Sequence, residues 1–420
     1  MLNKDQQREL AYVVIIDEIK PIPGRDRVEC AVVNGWTVMV RKGQFKPGDP
    51  GIYFEIDSKT PETEPFTFLA PKHYKVKTQK YKNSDGTYFW SQGLLMSAED
   101  FGWVTFNRIT YEKYGFLNYP GIGIYNEKDK EIYLAGTELG FLTKKLNITY
   151  AVAEDNKRKS NIDKYKIMAQ RKGKLFSHQP FRWLMKRNWG KKLLFLFFGK
   201  KKDKKSSWPS WIPKTDEERI QNMPWILKDK EPWIVTEKID GTSTTFAIKR
   251  KKFNRYDFYI CSRNVVFDKP DKKCFYETNV YTEMAEKYKI EKEMKRMLDT
   301  DFSDCDWIII QGETYGPGIQ KRDYSILEHS FKAFNLIDSK KGRWNTKDMK
   351  NILTYQYGIP CVPIVKEDYI LPDTIEEILD YATGMSYIDS KMREGYVFRD
   401  KNGEKSFKAV SNEYLVKYHG

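Results

Sequence analysis

Short runs of apolar residues recur through the first third of the chain, broken by turn-forming clusters. Tyr12-Val13-Val14-Ile15-Ile16, Val28-Glu29-Cys30-Ala31-Val32-Val33, Trp36-Thr37-Val38-Met39-Val40 and Ile52-Tyr53-Phe54-Glu55-Ile56 have the β-branched and aromatic content of strands. Pro21-Ile22-Pro23-Gly24, Asn34-Gly35 and Lys46-Pro47-Gly48-Asp49 separate them, and Asn34-Gly35 is a two-residue hairpin signal. Ser91-Gln92-Gly93-Leu94-Leu95 and the glycine-rich Tyr119 to Tyr125 add strand and turn material. The spacing predicts a small β-barrel of OB type over residues 1–150, either a nucleic-acid binder or a purely structural barrel.

Residues 151–207 carry a different pattern. From Pro180 a helix is expected with Phe181, Leu184, Met185, Trp189, Leu193, Leu196 and Phe197 on one side, and Arg182, Lys186, Arg187, Lys191 and Lys192 mostly on the other. Lys200 to Lys205, followed by Ser206-Ser207, would form its solvated tail or a flexible link. Beyond Trp208 the pattern becomes mixed. A cap-box arrangement at Thr215 and Glu218 predicts a short helix ending near Asn222, and a long helix is expected from Glu277 to Leu298. A further helix is expected over Thr374 to Ala382. Strands are expected at Trp233 to Ile239, Phe246 to Lys249, Phe258 to Cys261, Trp307 to Gln311, Phe331 to Ile337, Gly395 to Phe398 and Ser406 to Val410.

Charge sharpens the middle segment. The 420-residue chain has a formal net charge of +15, and Asn156 to Lys205 holds 18 Lys or Arg against 2 Asp or Glu, so this stretch alone accounts for the excess. The helix therefore fits an RNA backbone contact, a membrane-surface anchor, or a packed helix with solvated charges. The longest apolar run, Leu10 to Ile16, is far short of the roughly 20 residues that span a bilayer, and no signal-peptide pattern precedes it. Five cysteines without CxxC pairing and four histidines leave the zinc templates unfilled. Reduced thiols in a cytoplasmic protein are expected.

The stretch with the most chemistry is Trp233-Ile234-Val235-Thr236-Glu237-Lys238-Ile239-Asp240-Gly241. Lys238 and Asp240 are two apart at the end of a strand and share a face. The lysine stem among Ile234, Val235 and Ile239 is expected to be desolvated, which favours the neutral, nucleophilic amine. Downstream, Ser262-Arg263-Asn264 offers a guanidinium fork for phosphate. Gly312-Glu313-Thr314-Tyr315-Gly316 places a carboxylate before a glycine turn. Phe331-Lys332-Ala333-Phe334-Asn335 offers an aromatic face, Glu394-Gly395-Tyr396 a further acid, and Phe407-Lys408-Ala409 a second lysine. Each piece has an ordinary structural reading: core aromatic, solvated acid, surface cation. Their order is what carries meaning.

Lys-x-Asp-Gly, arginine, Glu-x-x-Gly, aromatic, Glu-Gly and lysine, in that sequence, resemble the motif series of the covalent nucleotidyltransferases over about Trp208 to Gly420. Gly35-Trp36, Lys42-Gly43, Phe54-Glu55-Ile56-Asp57-Ser58 and Ser91-Gln92-Gly93-Leu94 resemble the amino-terminal OB domain of the ATP-dependent RNA ligases that seal 3′-hydroxyl, 5′-phosphate nicks. The carboxy-terminal OB domain that DNA ligases and capping enzymes carry is not expected after Lys408 in this chain. The resemblance implies an OB-like barrel followed by an ATP-grasp-like ligase domain of antiparallel sheets with flanking helices at 208–420, with 151–207 as an insertion. It implies Lys238 as the nucleophile on ATP, with Asp240, Glu394 and Lys408 as its catalytic partners. Glu237 would meet the adenine, Phe334 stack on it, Glu313 bind the ribose, and Ser262, Arg263 and Lys408 bind ribose or phosphates. Asp240, Glu313 and Glu394 would hold hydrated Mg²⁺ (or Mn²⁺). Arg219 and Asn222, in Glu218-Arg219-Ile220-Gln221-Asn222, would touch RNA, a nicked duplex, and the protein is expected to be a monomer. Two positions depart from the family: the acid that follows the stacking aromatic is Asn335, and the second lysine near Lys408 is replaced by Ser406 or Val410, with Lys405 as a possible helper. The rivals are a DNA ligase, a capping guanylyltransferase, and an RNA-binding relative without activity.

Overall fold

A computed structural model describes residues 1–4, 7–106, 121–151, 178–185, 187, 189, 194, 208–253, 255–267 and 279–419. Within the amino-terminal part, strand Ala11–Ile15 pairs antiparallel with Pro50–Phe54, which pairs in turn with Leu94–Met96. Glu18–Pro21, Val28–Val33 and Trp36–Arg41 form a second antiparallel sheet. The expected hairpin stands at Asn34-Gly35, where Val33 faces Trp36 and Asn34 takes the left-handed conformation at φ 54°. Trp36 and Val38 alternate inward along their strand, and Tyr12 and Tyr53 are buried beside them.

Two antiparallel sheets make the carboxy-terminal part. One has six strands in the order Val266–Phe267, Arg255–Ser262, Thr242–Lys251, Trp307–Tyr315, Ser330–Asp338, Gly342–Arg343. Helices Val280–Lys287 and Ile290–Asp299 cover it, packing Met284, Met294 and Met297 against Phe246, Ile308 and Ile310. The other has four strands in the order Ile364–Tyr369, Trp233–Lys238, Gly395–Asp400, Ser406–Val410. The helix expected over Thr374 to Ala382 stands at Ile375–Ala382, capped by Thr374 and Glu377 in a reciprocal box.

Two helix expectations fail for identifiable reasons. Where one helix is expected from Glu277 to Leu298, the described residues form two, Val280–Lys287 and Ile290–Asp299, because Lys289 adopts the left-handed conformation at φ 50° and turns Ile290 into the core. No helix starts at Thr215. Its hydroxyl lies 2.8 Å from Ser243 Oγ, the Lys408 amide donates to Glu218 O at 2.7 Å, and Arg219 bridges Lys408 in parallel. The segment thus runs extended between the sheets, and only Ile220–Asn222 forms a single 3₁₀ turn. In the basic segment a helix covers Gln179–Met185, with Arg187 3.9 Å above the exposed Trp183 ring. Of the rest of that amphipathic helix only residues 187, 189 and 194 are described, and the lysine cluster lies outside the described residues.

The two parts are joined through a shared core and a polar seam. Val410 and Leu415 pack with Tyr12, Trp36 and Tyr53, and Gln92 donates to Asn412 at 2.7 Å. Asn222 accepts from Trp36 Nε1 at 2.7 Å and from the Tyr12 hydroxyl at 3.2 Å, and it donates to Glu55 at 3.0 Å and Glu218 at 2.7 Å. Arg219, only 5% exposed, lies over the Trp36 ring and 3.8 Å from Asp57. Both residues expected at the RNA surface are therefore held inside this joint. The reason is chemical: buried Glu55 and the Trp36 indole need partners, and the amide of Asn222 supplies a donor and an acceptor together.

Candidate active site

The strand ends of both sheets open onto one cavity of about 440 Å³. Lys238, Glu237, Asp240, Glu394 and Lys408 reach it from the four-stranded side, and Glu313, Phe334 and Arg263 from the six-stranded side. Of the residues expected at the site, Ser262 is the exception: it sits in the ladder opposite Thr244, off the cavity lining. Gly241 explains the tight passage after Asp240. A Cβ there would lie 2.3 Å from Thr314 O and 2.9 Å from Glu313 Cγ, so only glycine lets the Lys238 loop run beside the strand that carries Glu313.

Lys238 Nζ lies 2.8 Å from both carboxylate oxygens of Glu394. Burial alone would lower this ammonium's pKa, but the charges of Glu394, Glu313 and Asp240 outweigh burial and raise it above the ordinary lysine value. The desolvated neutral amine expected from the sequence is thus a protonated one in the ligand-free site. Glu313 bears the opposite strain: burial first, then Glu394 and Asp240, push its carboxyl up to about 8 even though Lys238 opposes the shift. Three carboxyls crowd one ammonium. A divalent cation would relieve that excess of negative charge and release the proton from Lys238, so the donor chemistry fits a metal. Among the described residues no three acidic, histidine or cysteine side chains converge as direct ligands.

Asp240 is held in place by two tyrosines that the sequence did not single out. Its amide donates to Tyr324 Oη at 2.6 Å, and its carboxylate accepts from the Tyr414 hydroxyl at 2.6 Å. Tyr414 belongs to helix Asn412–His419, a terminal element with no forecast of its own. Glu237 accepts from the Ser386 hydroxyl and from the Tyr387 amide at 2.8 Å, and burial raises its pKa. Arg399 donates to Phe334 O at 3.0 Å and to Glu217 at 2.9 Å, and so fixes the aromatic that faces the cavity. Asn335, where the family has an acid, is buried and donates to Gln311 at 2.9 Å; Gln311 donates to Pro213 O at 2.9 Å. An amide serves this buried pairing better than a charge would.

Asp216 also lines the cavity. Its carboxylate takes Lys408 Nζ at 3.1 Å on one oxygen and the Arg263 guanidinium on the other. Burial alone would raise its pKa, yet those two cations hold it well below the usual carboxylate range. Burial lowers the Lys408 pKa despite Asp216. Lys405 turns away to Asp229 at 2.7 Å and Ser406 donates to Glu217, so Lys408 is the cation of that strand at the cavity. The acidic run Thr215–Glu218 contained the signal for Asp216 and Glu217, but as a cap box it pointed to the wrong structure.

Two sheets clasping a lysine, three acids, an aromatic and a second lysine around one nucleotide-sized cavity define a covalent nucleotidyltransferase. Residues 231–418 match the RNA ligase family model, and residues 10–96 match a model described as an OB-fold domain. With both matches, the protein is an RNA ligase with an amino-terminal OB fold. Naegleria gruberi RNA ligase with PPi is 25% identical over 98% of this chain and 99% of that chain, with a TM-score of 0.65. A mutant of the same enzyme with AMP and Mn is 25% identical over 98% and 99%, with a TM-score of 0.64. Another mutant, with ATP and Mn, shares 24% identity over 98% and 100%, with a TM-score of 0.66. Comparison with curated proteins gives no match. Among the described residues no helix is long and apolar enough to cross a membrane.

Proposed function

We propose that the protein joins RNA 3′-hydroxyl and 5′-phosphate ends with ATP, through lysyl-AMP and RNA-adenylate, and that it seals nicks in duplex RNA or RNA–DNA hybrids. The observation that carries this reading is the convergence of Lys238, Glu313, Phe334, Glu394 and Lys408 on a single cavity. Lys238 Nζ attacks the α-phosphorus of ATP; the N–P bond forms, the bond to the β-phosphate breaks, and pyrophosphate leaves. Glu237 accepts from the adenine amino group, Phe334 stacks on the ring, Glu313 takes a ribose hydroxyl, and Lys408 and Arg263 grip the phosphate. Asp240, Glu394 and Glu313 hold hydrated Mg²⁺ or Mn²⁺, which supplies charge neutralisation at the transferred phosphoryl and at Lys238. The adenylate then passes to an RNA 5′-phosphate with cleavage of the Lys238 N–P bond. Attack by the RNA 3′-hydroxyl forms the phosphodiester and releases AMP.

A basic rim beside the cavity supports RNA as the partner. Lys321 follows Gln320, which lines the cavity and donates to Gly241 O at 2.8 Å. From the OB part, Lys77 comes within Coulombic reach of Lys75 and Lys321; burial and then these two lysines lower its pKa. Like charges drawn together from two domains suit a polyanion. A reducing setting such as the cytoplasm accords with the four described cysteines, all buried and free of disulfides. The test is sealing of nicked duplexes with RNA or DNA placed separately on each side of the break. Joining that requires RNA at the 3′-hydroxyl side is expected; equal joining of all-DNA nicks would favour a DNA ligase.

A further inference from the structure

The extended segment from Pro213 to Glu218 bridges the two sheets across the cavity and fixes Asp216 at its centre. Pro213 and Thr215 are tied to the six-stranded sheet through Gln311 and Ser243, and Glu217 and Glu218 to the four-stranded sheet through Ser406, Arg399 and the Lys408 amide. With its backbone anchored on both sides, Asp216 is held against Lys408 and Arg263. The Asp216 and Lys408 side chains are 15% and 10% exposed.

We propose that Asp216 is a built-in stand-in for phosphate, a specificity-determining residue that occupies Lys408 and Arg263 when no nucleotide is present. The inference rests on the reading of those two cations as phosphate ligands. A carboxylate and a phosphate cannot share the same two cations at full strength, since each adds an anion to the other's position. Nucleotide entry therefore separates Asp216 from its partners, and their reunion helps expel AMP after strand joining. The residue weakens nucleotide binding on purpose of turnover, and its removal tightens binding.

The test is equilibrium binding of AMP to the full chain carrying Asp216→Asn, with AMP inhibition of ligation measured in parallel. AMP should bind about tenfold more tightly than to the wild type, with ligation correspondingly more sensitive to AMP. A residue that merely supported the fold would move affinity the other way, so unchanged or weaker AMP binding overturns the proposal. Asp216→Ser carries the same expectation should the Asn variant fail to fold. The wild-type protein gives an independent measure: its 5′-phosphate should make AMP less than about tenfold tighter than adenosine, and a hundredfold advantage overturns the proposal. If the wild type binds neither AMP nor adenosine, the nucleotide reading fails and takes this one with it. If it binds both but Asp216→Asn binds AMP no tighter, only this inference fails.

Discussion

Asn222→Ala tests whether this residue is a joint between domains or a contact for RNA. The substitution removes two hydrogen bonds to carboxylates, at 3.0 Å to Glu55 and 2.7 Å to Glu218, and leaves Trp36 Nε1 without its acceptor, while the Tyr12 hydroxyl keeps Glu55 at 3.1 Å. Glu55 is fully buried and keeps Arg8 at 2.7 Å, so it is not stranded, but one of its lone pairs loses its donor. A hydrogen bond to a charged group contributes about 1.5–3 kcal/mol and a buried unsatisfied donor costs about 1–3 kcal/mol. Because the four groups share one side chain, these do not add fully, and a loss of about 3–5 kcal/mol is expected. Urea unfolding followed by tryptophan fluorescence measures it. Lysyl-AMP formation without RNA should fall as well, since Glu218 of the same seam receives the Lys408 amide at 2.7 Å. A variant with wild-type stability and adenylylation that has lost only RNA affinity would refute the joint and restore the RNA contact.

Gly241→Ala places a Cβ against the Thr314 carbonyl and should lower lysyl-AMP formation by about 10²-fold, with a stability loss of only about 1–3 kcal/mol, because Lys238 and Asp240 are displaced more than the core; single-turnover labelling and urea melts separate the two. Without metal the Lys238 pKa is raised, so the neutral amine gains about tenfold per pH unit below it, and the log rate of Lys238 modification by an amine-reactive reagent in metal-free protein should climb with a slope of about one between roughly pH 6 and 8. A flat profile would mean that the amine is already deprotonated. Burial would raise the Glu217 pKa, but Arg399 and Arg343 lower it below the ordinary carboxylate value. The stability it contributes is therefore complete above the ordinary carboxylate pKa and is lost as pH falls through the lowered folded value. Glu217→Gln, which leaves the 3% exposed Arg399 unpaired, should cost about 3–5 kcal/mol at neutral pH and show a smaller acid loss than the wild type in urea titrations at several pH values.

Local patterning made the strands legible. Asn34-Gly35 fixed a hairpin, and Trp233-Ile234-Val235 marked a strand buried along its length, because turn chemistry and apolar runs act over a few residues. The cavity residues were legible through the order of their motifs, which reflects strand order along the chain. What depended on long-range pairing was not. Thr215 to Glu218 reads as a capped helix, yet its acids are drawn to Arg263, Lys408, Arg399 and Asn222 from far along the chain. Nothing near Tyr324 or Tyr414 announces that both would meet Asp240. The protonation of Lys238 was missed because neighbouring residues suggested an apolar setting, whereas Glu394 and Glu313 arrive from other strands.

The most direct measurement is to incubate the protein with α-labelled ATP and a divalent metal, digest it, and locate the label by peptide mass spectrometry. The account predicts AMP on Lys238, none on the Lys238→Ala chain, and no adduct from GTP. A label on another residue, or one formed from GTP alone, would contradict it.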